Sequence, residues 1–454
     1  MNGFQPLLSA LRMTKSCALA LVLLAGSYAA APAASPNLMI GTDMGGTDLY
    51  FFNMDTDQRI KVDLSQDPMW PSARHTGPTA PHAGGGALHT VITPDGSKAY
   101  LSVMSSEKDP ATFLALRINK LDWKAGTADV KITKVMRAAE PTEEPSFLIP
   151  TETDPNQPVT DLWKVTRVNG QQLHGPTLHP NGKFIYFTQW TDNKIRVIDV
   201  DKDELAAVDP IQYGTRTRQI HGVFFNPSGD LAVATGYYYD MNEVTLYKVD
   251  KETGNLTLDK VIPLTVSEKD KEYAAFTHFA WWLNDRYAIT STEQTGNTSL
   301  TPVGWKVIGP SVWLIDAVEG KGKMIIGPAK IPDDPGIYKP ASDVVVVGKK
   351  LYVGEEDSMD ATIEQGNVSV WDISDPNSPK FIKRLNAGKE LPADFKMTHE
   401  IYASMDGRHV YAQSWASGHL VKIDGATDDV VAVVSSGDAG WHMPHGNFVQ
   451  GALR

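Results

Sequence analysis

Cysteine is almost absent from this chain, and Cys17 is the only one among 454 residues. It lies in an apolar N-terminal segment that we expect to be removed, and it precedes the apolar run, unlike a lipoprotein cysteine. The mature protein should therefore contain no disulfide, no thiolate metal ligand and no covalently attached haem. Any metal must be bound by histidine, carboxylate, methionine or backbone atoms.

Positive charge is also in short supply, because 42 lysines and arginines face 54 aspartates and glutamates, for a formal net charge of -12. Such a balance disfavours nucleic acid and anionic membrane surfaces as partners. We therefore expect neither of these partners.

The N-terminal stretch MTKSCALALVLLAGSYAAAPAAS has a basic residue, an apolar run and then small residues. This order predicts a cleaved signal peptide over residues 1–35, and the run is too short for a transmembrane helix. The stretch has no twin arginine. We therefore expect Sec-type export to the periplasm, with no membrane anchor.

Convincing amphipathic helices are lacking between residues 37 and 450, where short β-rich runs alternate with turn signals. Four of these runs align on a turn glycine: VITPDGSKAYLSV, TLHPNGKFIYFTQW, FFNPSGDLAVATG and YASMDGRHVYAQSW. Gly182 and Gly407 are each followed by tryptophan eight residues later and by aspartate seventeen residues later. Repeats of this kind predict units of four antiparallel strands, which is the plan of a β-propeller.

Seven such units predict an all-β, seven-bladed propeller that forms a single domain over residues 36–454. The last unit begins PHGNFVQ and has room for one strand only. We therefore expect residues 446–450 to pair with the N-terminal strands near 38–44, which would close the ring and leave no free sheet edge. The acidic, proline-rich insertion AAEPTEEPSFLIPTETDPNQPVT is expected to be a loop.

Histidine recurs where the first strand of each unit begins. In a propeller this strand lines the central channel, so these side chains should meet at one channel mouth. Neutral imidazoles crowded in this way suit Cu, Zn, Fe or Ni. The predicted metal ligands are His89, His174, His221, His278, His399 and His445. The remaining unit has Lys339–Pro340 instead of histidine.

The segments THEIYASMDGRHVYAQSWASGHLVKID and GWHMPHGNF resemble the histidine-bearing blades of the nitrous oxide reductase propeller. The overall plan is more similar to thiocyanate dehydrogenase, a periplasmic seven-bladed propeller. This resemblance implies copper as the cofactor, with more than one ion, bound by the ring of histidines. Three departures from the family pattern are Leu88, where a paired histidine is expected, Lys339–Pro340, where a histidine is expected in the fifth blade, and His221, where none is expected. His82 or His442 could supply missing ligands. A weaker resemblance, to copper-dependent methanethiol oxidases, rests on VWDISDPNSPK.

Carboxylates at the same mouth are candidates for acid–base catalysis or metal ligation. The residues eight positions after the turns are Met104, Trp190, Tyr237, Glu293, Glu356 and Trp415. Of these, Glu293 and Glu356 are the predicted catalytic residues, and Lys339 is a third candidate because it could bind an anionic substrate. Strand alternation predicts that Glu400 points away from His399.

Two functions are compatible with these features. The first is a periplasmic copper oxidoreductase that acts on a small sulfur or nitrogen compound such as thiocyanate and passes electrons to an external acceptor, for example a c-type cytochrome. The second is a propeller that binds metal or a partner without catalysis. A metal-dependent lactonase is a third option, which the histidine ring disfavours.

Overall fold

The computed structural model describes the part of the chain that carries the repeats. The described ranges are 38–42, 46–71, 87–103, 112–137, 145–150, 162–166, 173–189, 194–209, 211–212, 220–236, 243–267, 269, 272–274, 276–293, 306–331, 333–356, 366–404, 406–414 and 417–435. All of them belong to one compact unit, Ala34–Arg454. The predicted signal peptide, residues 1–35, lies outside the described residues.

Seven antiparallel sheets succeed one another along the described chain. Sheet 1 contains β1 (Leu38–Thr42), β2 (Asp48–Asn53) and β3 (Gln58–Asp63). Sheet 2 contains β4 (Ala87–Ile92), β5 (Lys98–Val103), β6 (Thr112–Asp122) and β7 (Thr127–Arg137). Sheet 3 contains β10 (Leu173–Leu178), β11 (Phe184–Gln189), β12 (Lys194–Asp199), β13 (Glu204–Leu205) and β14 (Ile211–Gln212). Sheet 4 contains β15 (Ile220–Phe225), β16 (Leu231–Gly236), β17 (Glu243–Val249) and β18 (Leu256–Pro263).

The second half of the chain continues the same meander. Sheet 5 contains β21 (Thr277–Trp282), β22 (Tyr287–Thr292), β24 (Ser311–Asp316) and β25 (Lys321–Ile326). Sheet 6 contains β26 (Ala341–Val347), β27 (Lys350–Glu355), β28 (Asn367–Asp372) and β29 (Lys380–Asn386). Sheet 7 contains β30 (Thr398–Ala403), β31 (His409–Ser414), β32 (Leu420–Asp424) and β33 (Val430–Ser435).

Two smaller sheets lie between these units. One pairs β8 (Pro145–Pro150) with β9 (Leu162–Thr166). The other contains β19 (Thr265–Ser267), β20 (Glu272–Tyr273) and β23 (Lys306–Val307). The insertion expected to be a loop therefore contributes strand β8, and β9 follows it. Its apolar run FLIP and the following LWKVT have the residue types that favour strands.

Helical structure in the described chain is limited to one 3₁₀ turn, Leu64–Gln66, which the carboxylate of Asp63 caps at the backbone N–H of Ser65. No helix in the described ranges has the length and apolar character needed to cross a membrane.

Tight turns join the first two strands of the best-matched units, as their glycines predict. Gly96, Gly182, Gly229 and Gly407 all have positive φ, between 65° and 74°. Each donates its backbone N–H to the carbonyl three residues earlier, over 2.8–2.9 Å. Glycine adopts this left-handed conformation without the steric penalty of a side chain. The repeat read from the sequence therefore corresponds to real hairpins.

The seven sheets form a closed ring. The first strands contact one another in sequence from β1 to β30, and buried apolar side chains fill the space between neighbouring sheets. Sheet 7 in turn packs on sheet 1, where Lys422 donates to the carbonyl of Met54 over 2.7 Å and contacts Asp57 at 2.9 Å. The all-β propeller fold is confirmed. The blade count stays a prediction, because the strand expected at 446–450 lies outside the described residues.

Candidate metal centre

The first strands of sheets 2–7 share an irregularity close to where each begins. The register shifts lie between Ala87 and Thr90, His174 and Thr177, Ile220 and Gly222, Thr277 and Ala280, Ala341 and Val344, and Thr398 and Ile401. A β-bulge of this kind bends the strand and redirects its side chains. All five described histidines of the predicted ring lie in or beside these bulges. The bulges therefore direct side chains of sheets 2–7 towards the channel.

These five histidines form a continuous row. The ring centroids lie 4.0 Å apart between His89 and His174, 4.2 Å between His174 and His221, and 4.0 Å between His221 and His278. The row ends with His399, 5.0 Å from His278. All five line a cavity of about 50 Å³. The sixth predicted ligand, His445, lies outside the described residues.

Backbone carbonyl groups orient two of the imidazoles. Nδ1 of His174 lies 3.3 Å from the carbonyl oxygen of His221, and Nδ1 of His221 lies 2.9 Å from that of His278. A carbonyl oxygen only accepts, so each Nδ1 must carry the hydrogen and donate it. In the neutral form of each ring, Nε2 then carries the lone pair, which is the state that binds a metal.

Hydroxyl groups hold the same carbonyls in place. Oγ1 of Thr188 lies 2.9 Å from the carbonyl oxygen of His174 and 3.0 Å from that of His221. Oγ1 of Thr235 donates to the carbonyl oxygen of His278 over 2.7 Å. His174 and His221 are thus each positioned by the blade that follows in the ring.

A carboxylate orients His399. Its Nδ1 lies 2.7 Å from Oε2 of Glu356, which follows β27 in the neighbouring sheet. Both side chains are buried, so little water competes for the contact. A histidine that donates Nδ1–H to a carboxylate presents a more basic Nε2, as in carboxylate–histidine–metal triads. Glu356, a predicted catalytic residue, therefore acts on His399 in this structure.

His278 lies between two carboxylates. Its Nε2 is 3.0 Å from Oε1 of Glu293, and its Nδ1 is 3.1 Å from Oδ1 of Asp343. Burial, together with the negative charges of Glu400 and Glu293, raises the pKa of Asp343 well above its usual range, although His399 opposes the shift. Single ligand atoms of His278, Glu293 and His399 all lie within 4.8 Å of one another, close enough for a metal site.

Asp343 is a site residue that the sequence did not reveal. The position assigned to the start of the first strand in its blade, Lys339–Pro340, was wrong. In sheet 6 the bulge holds Ser342 and Asp343, as the bulge of sheet 7 holds His399 and Glu400. The reason is a shorter hairpin. Val347 pairs with Lys350 directly across a two-residue turn, whereas Ala403 pairs with Val410 across a longer one. Counting eight residues back from the turn glycine therefore gives a position that lies before the bulge.

The positions of Glu400 and Lys339 differ from those that the sequence predicts. Glu400 lines the cavity beside His399, contrary to the expected strand alternation, because the bulge lets consecutive residues face the same side. Lys339 is half-buried in the segment that precedes β26, and it is not among the described residues that line the cavity. Further candidates lie outside the described residues: His82, Met104, Trp190, Tyr237, Trp415 and His442.

Neither a family model nor a curated protein matches this sequence. Solved structures do share the fold. A putative 6-phosphogluconolactonase from Bacteroides uniformis superposes with a TM-score of 0.54 at 14% identity, covering 91% of this chain and 98% of that chain. The periplasmic gluconolactonase of Pseudomonas aeruginosa gives 0.53 at 12% identity, covering 91% and 99%. A functionally unknown protein from Desulfotomaculum acetoxidans gives 0.54 at 13%, covering 90% and 98%. Likeness at this level supports the propeller fold alone.

Proposed function

We propose that this chain is a periplasmic copper-dependent oxidoreductase that acts on a small sulfur or nitrogen compound such as thiocyanate. The observation that carries the proposal is the row of five imidazoles, three of which have Nδ1 held by an acceptor. The resemblance of residues 398–448 to copper-binding propellers adds the choice of metal. The proposal includes export, and transfer of electrons to an external acceptor such as a c-type cytochrome.

The donor set fits copper. Imidazole nitrogens without thiolates form stable sites for copper, and the row offers more of them than one ion requires. His89, His174 and His221 would hold copper, with the predicted ligand His445, and more than one ion is expected. When bound, copper supplies reversible one-electron transfer.

The described residues account for the remaining requirements of such a site. Glu356 fixes the ring of His399, and backbone carbonyls fix those of His174 and His221. Glu293 and Asp343 are buried beside the two ring nitrogens of His278. The cavity therefore contains groups that can hold or transfer a proton at either nitrogen of that ring. Proton transfer by a positioned carboxylate or imidazole contributes about 10²- to 10⁴-fold in enzymes. Glu293 and Asp343 are therefore the two candidates for proton transfer, and Asp343 keeps this role where Glu293 binds a metal ion.

The test is metal analysis and turnover of the full-length protein purified from a bacterial periplasm. We expect more than one copper ion per chain, a Cu(II) signal in electron paramagnetic resonance, and reduction of an artificial electron acceptor by thiocyanate or a related compound. The His221→Ala variant should lose copper and turnover together. Copper without turnover on any such compound would favour the propeller that binds metal without catalysis, and absence of metal would overturn both proposals.

A further inference from the structure

The cavity has two halves that differ in what faces the imidazoles. At one end, the Nδ1 atoms of His174 and His221 face backbone carbonyl oxygens. At the other end, the ring nitrogens of His278 and His399 face carboxylates, at 2.7–3.1 Å. The two ends therefore offer different donor sets within one row of histidines.

Negative charge is concentrated in the second half. The side chains of Glu293, Asp343, Glu356 and Glu400 are all buried, with at most 7% of any residue exposed. Removing a carboxylate from water costs several kcal/mol unless a positive charge or a metal compensates it. Even with Asp343 protonated, as its raised pKa favours, three carboxylates face two imidazoles that can supply at most two positive charges. The described residues that line the cavity include no lysine or arginine. A bound divalent cation would balance the remaining charge.

The distances also suit a single cation. One ligand atom each from His278, Glu293 and His399 lie within 4.8 Å of one another. Two ligands of one zinc ion, each about 2.0–2.2 Å from the metal, are no more than about 4.4 Å apart. A small rotation of these side chains would bring all three atoms to one ion. Asp343 lies at the other ring nitrogen of His278 and would orient that ring when Nε2 binds the ion.

We propose that His278, Glu293 and His399 form a separate site for a borderline or hard divalent cation of the Zn²⁺ type. This inference extends the proposed function by adding a second kind of metal to the same cavity. Mixed imidazole and carboxylate donors suit Zn²⁺, Fe²⁺ or Mn²⁺, whereas the imidazole-only end, with His89, His174 and His221, suits copper. The centre would then hold two metals that differ in charge and softness.

Titration of the metal-free, full-length protein tests this division. Zn²⁺ binding is measured by calorimetry, Cu⁺ binding by anaerobic competition with a chromophoric chelator, and the ligand field by the absorption of Co²⁺ in place of Zn²⁺. Glu293→Gln removes one carboxylate while preserving size, and His221→Ala removes one imidazole from the other end. Glu319→Gln, in the exposed turn after β24 of the same sheet, is the matched control.

We expect Glu293→Gln to weaken Zn²⁺ binding at least 10-fold and to change the Co²⁺ spectrum, with Cu⁺ binding altered less than threefold. His221→Ala should show the reverse, and Glu319→Gln should leave both unchanged. Equal losses of both metals in both variants would show one undivided cluster and overturn the inference, as would unchanged Zn²⁺ binding in Glu293→Gln. Thermal unfolding confirms that each variant is folded, and Glu293→Asp replaces Glu293→Gln if the latter is not. The proposed function fails separately, when the wild type lacks copper or turnover.

Discussion

Nδ1 of His399 lies 2.7 Å from Oε2 of Glu356, and this contact crosses from sheet 7 to sheet 6. It makes the orientation of a proposed metal ligand depend on the neighbouring blade. Equivalent dependence recurs along the row, because His174 is held by the carbonyl of His221, and His221 by that of His278. The centre is therefore assembled by the ring as a whole, and its geometry should respond to changes between blades.

Replacing Glu356 tests this dependence. Glu356→Gln keeps the size of the side chain but removes the charge that fixes His399. Loss of an outer hydrogen-bond partner typically lowers metal affinity about 10- to 100-fold, so we expect a loss in that range, smaller than the loss in His399→Ala. Zn²⁺ binding is measured by calorimetry. Glu252→Gln, at an exposed glutamate, is the control, and an affinity for Glu356→Gln equal to that of this control would contradict the prediction.

Gly175 allows a second test that leaves every ligand in place. It adopts positive φ, and a Cβ atom added there would lie 2.7 Å from the carbonyl oxygen of His221, which orients His174. Gly175→Ala should therefore destabilise the fold and weaken copper binding at the same time.

Gly182 is the matched control for this substitution. It also has positive φ, but an added Cβ meets nothing within 4 Å. Gly182→Ala should show only the cost of a left-handed alanine, about 1–2 kcal/mol, with normal copper binding. Thermal unfolding and metal titration of the two variants separate the effects. Identical behaviour of the two alanine variants would show that the His221 carbonyl tolerates displacement.

Much of the fold could be predicted from local sequence. The turn glycines, such as Gly182 and Gly407, indicate hairpins because a left-handed turn needs no partner beyond its own few residues. Repetition of these hairpins then predicts the propeller, and the histidine positions indicate which strand ends face the channel. Each hairpin signal lies within a short stretch of chain, and its repetition along the sequence indicates the ring.

The carboxylates of the site were harder to predict from the sequence. Asp343 lies in a bulge whose position depends on the length of its hairpin, and Glu400 faces the cavity only because of a similar bulge. Periodicity assumes a regular strand, so it assigns both residues to the wrong place. The contact between His278 and Asp343 joins different blades, and no local pattern records such a pairing.

Packing between blades uses a repeated polar contact, which gives a prediction about stability. The hydroxyl of Tyr352 donates to Asp428 over 2.5 Å, and Lys350 contacts the same carboxylate at 2.8 Å. Lys98, Tyr100 and Asp203 repeat this arrangement between sheets 2 and 3. Both aspartates have positive φ and lie in the turn before the outermost strand.

Tyr352→Phe should lower the free energy of unfolding by about 1.5–3 kcal/mol, because a hydrogen bond to a charged group is lost and a buried carboxylate loses one partner. Urea unfolding monitored by circular dichroism measures the change. Tyr287→Phe keeps a ring that lies under Arg286 and is the control. Combining Tyr352→Phe with Asp428→Asn should cost less than the sum of the two single changes, and strict additivity would argue against the pairing.

His179 gives the protein a dependence on pH that is separate from the metal centre. Its Nε2 lies 2.9 Å from the carbonyl oxygen of Gly229, and its Nδ1 accepts from the backbone N–H of Asn181 over 3.1 Å. The neutral ring satisfies both contacts, whereas a protonated ring could not accept at Nδ1. Burial lowers the pKa of His179 below its usual 6.5.

The sign of the effect follows from this shift. Below pH 6.5 the unfolded chain binds a proton at His179 that the folded chain does not, so stability is complete above pH 6.5 and falls as the solution becomes more acidic. One proton limits the slope to about 1.4 kcal/mol per pH unit. We expect the metal-free wild type to lose stability between pH 7.5 and 5.5 more steeply than His179→Gln, even though this variant is less stable at pH 7.5. Urea unfolding across this range, with His409→Gln as the control, measures the slopes. A wild-type slope no steeper than that of His179→Gln would exclude His179 as the source.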